Sequence, residues 1–164
     1  MRRVLTVLWL IVGLTEQLAI ASDTHISMVI NGFSYHLPRD YYNERNTGIG
    51  LQLDEAWGRH HLMWGVGTYR DSYFTQANYF GTGYNHRLWD ANLRASRWYI
   101  DAGAVLLVAK SEGYTKYYHV PMLIAPLPWV AVGNERYAMN MMFAPAPNNH
   151  YASVLTVQLK IVLF

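Results

Sequence analysis

The chain has 164 residues, 13 Lys and Arg against 11 Asp and Glu, a formal charge of +2 and no cysteine. So small a charge, with no basic run, excludes an electrostatic nucleic-acid partner, and the absence of cysteine excludes a disulfide-held fold. The 52% apolar and 15% aromatic content set against only 15% charged residues points to a surface that meets something other than water, since soluble domains carry about 25% charged residues.

Residues 1–21 have the three parts of a secretory signal. Arg2 and Arg3 come first, then the apolar run Val4 to Leu14, then Ala19 and Ala21 in the arrangement that signal peptidase recognises. The run is shorter than the ~20 residues of a membrane-spanning helix, and Glu16 and Gln17 end it. The expected mature chain is residues 22–164, one domain.

After residue 22 no apolar stretch is long enough for a helical span, and segments of about ten alternating or aromatic-rich residues recur between polar or glycine-containing turns. The pattern predicts an all-β fold, an eight-stranded antiparallel up-and-down transmembrane β-barrel. The strands are expected at His25 to Leu37, Thr47 to Trp57, His61 to Arg70, Gln76 to Leu88, Ser96 to Ala109, His119 to Val132, Arg136 to Ala144, and Tyr151 to the end. SEGYTKYY, residues 111–118, reads as a polar loop. The last strand shows two faces, with Leu155, Val157, Leu159, Ile161 and Leu163 toward lipid and Thr156, Gln158 and Lys160 toward the lumen. Tryptophans and tyrosines near strand ends, among them Trp57, Trp64, Trp89, Trp98 and Trp129, suit interfacial girdles.

Three GxG pairs, Gly48 and Gly50, Gly65 and Gly67, Gly81 and Gly83, each remove two side chains from one face of a strand. They are read either as the bare wall of an interior hollow or as points of tight barrel curvature. An up-and-down order brings the connections after strands one, three, five and seven to one end. That mouth therefore gathers His36, Arg45, Arg70, Asp71, Ser72, SEGYTKYY and APAPNN. His36, on the face of Gly32 and Ser34, is expected to point inward, where a neutral imidazole suits general-base work. Asp71 and Ser72 are adjacent and would face apart in a regular strand, which leaves an ordinary Ser-His-Asp triad open. Arg45 and Arg70 are candidates for lipid phosphates. His60 and His61 fall in a turn at the opposite end, and no metal or cofactor motif is present in the sequence.

From SYH at 34–36 through YNER at 42–45, RDSY at 70–73, GTGY at 81–84, PMLIAPLPWVAVG at 121–133 and the PAPNN turn, the chain resembles the outer-membrane lipid A palmitoyltransferases, the PagP family. The resemblance implies an enzyme of the Gram-negative outer membrane that moves a palmitoyl chain from a glycerophospholipid to lipid A without a cofactor. It implies catalytic roles for His36, Asp71 and Ser72, an acyl cavity inside the barrel, and a floor at Gly83 that sets chain length. It further implies that the prolines of the sixth strand, with Pro145, open a lateral passage for lipid. In the mechanism expected from it, His36 deprotonates the lipid A acceptor group, Asp71 orients His36 and Ser72 assists at the carbonyl. The expected partners are membrane lipids and, during biogenesis, the outer-membrane insertion machinery, with a monomer as the working unit. The chain departs from the family in its short first loop, in lacking a helix before the first strand, and in the added Phe164. The alternatives are a lipid A deacylase or phospholipase, and a non-catalytic small barrel serving adhesion or lipid binding.

Overall fold

The structure, a computed structural model, describes residues 23–38, 41–93, 95–146 and 152–164. The expected signal segment, Arg39, and residues 147–151 of the turn before the last strand lie outside the described residues. Eight antiparallel strands pair in chain order and the last pairs with the first, closing the barrel. They are β1 (Asp23–Leu37), β2 (Gly48–Trp57), β3 (His60–Arg70), β4 (Gln76–Leu93), β5 (Ser96–Ser111), β6 (Leu123–Asn134), β7 (Tyr137–Ala144) and β8 (Ser153–Val162).

The distribution of polarity is the reverse of a water-soluble barrel. Ile49, Phe80, Leu106, Ile124, Met139 and Leu159 are exposed on the outside, while Asn31, Gln52, Asp54, Asn85, Asn140 and Lys160 are buried inside. Such a shell is stable where its outer face meets hydrocarbon, and closure of β8 onto β1 leaves the sheet without a free outermost strand. No described helix is long and apolar enough to cross a membrane; the apolar outer face is carried by the strands.

The lower lumen is filled in two ways. Met63, Val105, Leu127, Trp129, Ala131, Ala138 and Met142 form an apolar cluster. Beside it runs a chain of polar contacts: Asn140 donates to Gln52 (3.3 Å), Gln52 to Asp54 (2.7 Å), and Lys160 Nζ lies 3.3 Å from the other Asp54 oxygen. Arg87 makes a two-pronged pair with Asp101 at 2.9 and 3.2 Å and lies over the Tyr99 ring. His61 is buried among these charges rather than solvated, whereas His60 is exposed and bonds Tyr84 on the outside.

Three features differ from the sequence-based boundaries. The β4–β5 hairpin continues to Leu93 and Ser96, because Asp90, Ala91 and Asn92 find partners in Tyr99, Trp98 and Arg97. The polar loop SEGYTKYY is a helix, α1 (Glu112–Tyr118). Ser111 caps it, its hydroxyl accepting from the Tyr114 amide at 3.1 Å, as a serine at a helix N-terminus does. Third, β1 is not regular: the register against β8 passes from Asn31↔Gln158 directly to Phe33↔Val157, leaving Gly32 as a bulge.

Two ladders stop short near the mouth. The β6–β7 ladder ends at Trp129↔Met142, although β6 stays paired with β5 up to Leu123. The unpaired side of β6 carries Pro126 and Pro128, and proline strands no amide donor there. The β1–β2 ladder ends at Asn31↔Gly48, and above it the loop stands in for β2, with the Ser34 amide donating to the Glu44 carbonyl at 2.9 Å.

Candidate functional site

The bulge at Gly32 is what points His36 inward. Below it Ser27, Val29 and Asn31 are buried; above it Ser34 and His36 are buried, so the inward positions change from odd to even numbers. A strand without the extra residue would place Val29 and His36 on opposite faces. The expected facing of His36 and Ser34 holds, but Gly32 is a supernumerary residue and not a third member of a regular face.

His36 is 1% exposed, and its Nε2 lies 2.8 Å from the Ser72 hydroxyl. Its ring stacks on Tyr42, with centroids 4.5 Å apart and planes at 12°. The other ring nitrogen, Nδ1, is buried and has no hydrogen-bond partner among the described residues. Nucleophile and base within hydrogen-bond reach is the arrangement that activates a serine. The carboxylate charge acting on His36 comes from Glu44.

Asp71 has other work. Its fully buried carboxylate accepts from the Tyr73 amide (2.9 Å), the Thr75 amide (2.8 Å), the Thr75 hydroxyl (2.7 Å) and the Ser111 hydroxyl (2.6 Å). Three of these bonds fix the turn after β3, and the bond to Ser111 ties that turn to the cap of α1. The structure thus brings His36 and Ser72 together, while the Asp71 carboxylate holds the frame around Ser72 instead of the imidazole. The geometric reason lies in neighbouring residues facing apart: Ser72 turns toward the lumen and Asp71 toward α1.

The YNER segment is the clamp over this pair, which the sequence did not reveal. Asn43 donates from its amide nitrogen to the Asp71 carbonyl (2.9 Å) and from its backbone to the Ser72 carbonyl (2.9 Å). Asn46 donates to the Arg70 carbonyl at 2.9 Å. Tyr42 continues into an aromatic group, edge-on to Tyr73, which in turn stacks on Tyr117 of α1 at 4.1 Å. The Tyr69 and Tyr114 hydroxyls meet at 2.6 Å, and burial and the neighbouring Tyr69 push the Tyr114 phenol far above its ordinary range, keeping it neutral. The only sequence signal for these partners was their clustering at the mouth.

Beneath His36 and Ser72 lies a cavity of about 540 Å³, walled by Val29, Met63, Val105, Leu107, Leu127 and Met142 among others. From Tyr69 at the top to Met63 at the bottom is six residues of β3, or roughly 20 Å of strand. Ile124, Pro126, Ala144 and Pro145, on the two sides of the missing β6–β7 ladder, also line it.

The glycines divide. Gly65 and Gly81 line the cavity. A Cβ at Gly65 would have its nearest neighbour at 3.7 Å, and one at Gly81 would touch only the Val105 methyl at 3.3 Å. Gly48, Gly50, Gly67 and Gly83 are not in its wall. Gly50 pairs with Gly67, and Gly67 with Tyr79, whose ring folds back across both glycines. Gly48 presses on the backbone of Thr68 and Tyr69. A Cβ at Gly83 would lie 2.7 Å from the Ala104 carbonyl oxygen. These four serve close approach, as curvature requires. In this structure the floor at the Gly83 level is made by its strand partners Met63 and Val105. Arg45 and Arg70 are exposed at the mouth, Arg70 lying over the Phe74 ring at 5.6 Å.

Comparison with protein-family models gives no match, and comparison with curated proteins gives none. Among solved structures, Neisserial surface protein A (NspA) is similar at 8% identity, with 87% of this chain and 99% of that chain covered and a TM-score of 0.41. Ail, the attachment invasion locus protein of Yersinia pestis, is similar at 12% identity, covering 87% of this chain and 98% of Ail, with a TM-score of 0.40. The same protein in complex with the heparin analogue sucrose octasulfate matches at 10% identity over the same spans, with a TM-score of 0.41. Values this low report a likeness between small barrels and carry no chemistry across. The resemblance to the palmitoyltransferases rests on the short motifs alone.

Proposed function

We propose that this chain is an outer-membrane acyltransferase that moves a long acyl chain from a glycerophospholipid to lipid A. The observation that carries the reading is the His36–Ser72 hydrogen bond of 2.8 Å at the top of an apolar cavity deep enough for an acyl tail. A base paired with a hydroxyl suits ester chemistry, and a largely apolar cavity below it suits the chain that the ester carries. The missing β6–β7 ladder gives a membrane lipid a lateral way in, and exposed Arg45 and Arg70 are placed to meet phosphates at the mouth. The resemblance in SYH, YNER and RDSY supplies lipid A as acceptor and palmitoyl as the chain.

A purified, refolded barrel given phospholipid labelled in its acyl chain, together with lipid A, tests this. Labelled lipid A is the expected product, falling on the order of 10²–10⁴-fold in His36→Ala, the usual worth of a general base. Release of labelled free fatty acid instead would make the chain a phospholipase, and loss of an acyl chain from the lipid A would make it a deacylase.

The engagement of Asp71 by Thr75, Tyr73 and Ser111 favours a second reading, a lipid-binding barrel without catalysis, since no carboxylate is bonded to His36 among the described residues. That reading predicts tail binding in the cavity with no labelled product.

A further inference from the structure

Resting on the acyl-transfer reading, we infer that Ser72 is the nucleophile and carries the acyl group as a covalent ester between donor and acceptor. The argument is one of access to the base. His36 has two ring nitrogens; Nδ1 is buried, and Nε2 is occupied by the Ser72 hydroxyl at 2.8 Å. Tyr42 stacked on the ring, with planes at 12°, holds that face of the imidazole in place. An acceptor hydroxyl approaching from the mouth therefore meets Ser72 before it meets the base. Direct deprotonation of the acceptor would require Ser72 to leave its partner, whereas transfer through Ser72 uses the contact already made.

The steps balance without a further reactant. The Ser72 hydroxyl gives its proton to His36 Nε2 as its oxygen bonds to the carbonyl carbon of the phospholipid ester. The bond from that carbon to the glycerol oxygen breaks, the glycerol oxygen takes the proton from Nε2, and a lysophospholipid departs. The acyl chain stays in the cavity, esterified to Ser72. The acceptor hydroxyl then gives its proton to Nε2 and attacks the same carbon, and the Ser72 oxygen leaves and recovers the proton. The cavity contributes by keeping the tail, and hence the ester, in place between the two halves.

The experiment uses the purified full barrel with a diacyl glycerophospholipid and no acceptor. Intact-protein mass spectrometry should show one added acyl group, mapped by fragmentation to Ser72, with one equivalent of lysophospholipid released per barrel. A fluorophosphonate probe should label Ser72 in the wild type and not in His36→Ala, with heat-modifiable migration on a gel showing that the variant is folded. In a second arm with lipid A added, transfer that proceeds while Ser72 is neither acylated nor labelled would overturn the inference and leave the transfer reading standing. Labelling of Ser72 with free fatty acid as the only product would keep the nucleophile and overturn the transfer reading. Neither labelling nor transfer would overturn both.

Discussion

Gly65 and Gly83 look alike in the sequence, each one half of a GxG pair, and the structure gives them opposite tolerances. Gly65→Met adds a side chain to the cavity wall from a position where the Cβ fits, so it should shorten the acyl chain selected without loss of folding. Competition between phospholipids of different chain length reads this directly, and unchanged selectivity would contradict the assignment of the cavity. Gly83→Ala should act on stability instead, because its Cβ would lie 2.7 Å from the Ala104 carbonyl oxygen. A lower urea midpoint with unchanged chain selectivity is the expected result. At this scale the sequence placed His36 and Ser72 at one mouth, because counting strands fixes which connections share an end, and the structure sets them 2.8 Å apart. The roles of the glycines were not legible, since they depend on which ring or carbonyl stands across the ladder, as Tyr79 does over Gly50 and Gly67. The partners of Asp71 were not legible for a similar reason: its four donors come from Tyr73, Thr75 and Ser111, and the last is forty residues away.

Among the elements, β1 and α1 hold what alternation alone does not disclose. The Gly32 bulge places Ile30 and Phe33 both on the outside, although residues three apart in a regular strand face opposite ways. Spin labels at cysteines replacing Ile30 and Phe33 should both be accessible to oxygen dissolved in the bilayer; one accessible and one shielded would mean a regular strand. The seven-residue helix α1 is too short to be stable by propensity and contains a glycine, so its sequence reads as loop. Docking makes it a helix, through the Ser111–Asp71 bond and the Tyr69–Tyr114 contact. Because Asp71 also accepts from Tyr73 and Thr75, Asp71→Asn should loosen α1 and the turn before it more than Ser111→Ala does, and both should raise KM by several-fold more than they lower kcat. Proteolytic nicking near α1 alongside the kinetics would check this. If Asp71 oriented His36, Asp71→Asn would instead lower kcat sharply and Ser111→Ala would be nearly silent.

Over the whole molecule, the strand count, order and closure were legible because a two-residue period repeated eight times has few other solutions. The end at which each residue lies followed from counting. What fills the lower lumen did not follow, since it requires partners from distant strands: Lys160 of β8 meets Asp54 of β2, and Asn140 of β7 meets Gln52. Both members of the Lys160–Asp54 pair are about nine-tenths buried, so removing one leaves an uncompensated charge. Asp54→Ala should therefore cost about 3–5 kcal/mol of unfolding free energy in a urea titration of the refolded barrel. The double change Asp54→Leu with Lys160→Met should recover most of it, and a double variant as unstable as the single would contradict the pairing. With the lower lumen filled, the cavity lies toward the mouth, and Ile124, Pro126, Ala144 and Pro145 bring it to the β6–β7 side.

The central claim, that the His36–Ser72 pair above an apolar cavity transfers an acyl chain to lipid A, is tested most directly by mass spectrometry of lipid A from Gram-negative cells producing this chain. The predicted result is a lipid A species heavier by one long acyl chain, absent in cells producing His36→Ala at the same level in the outer membrane. Lipid A of unchanged mass, with the wild-type barrel folded and abundant in that membrane, would contradict it.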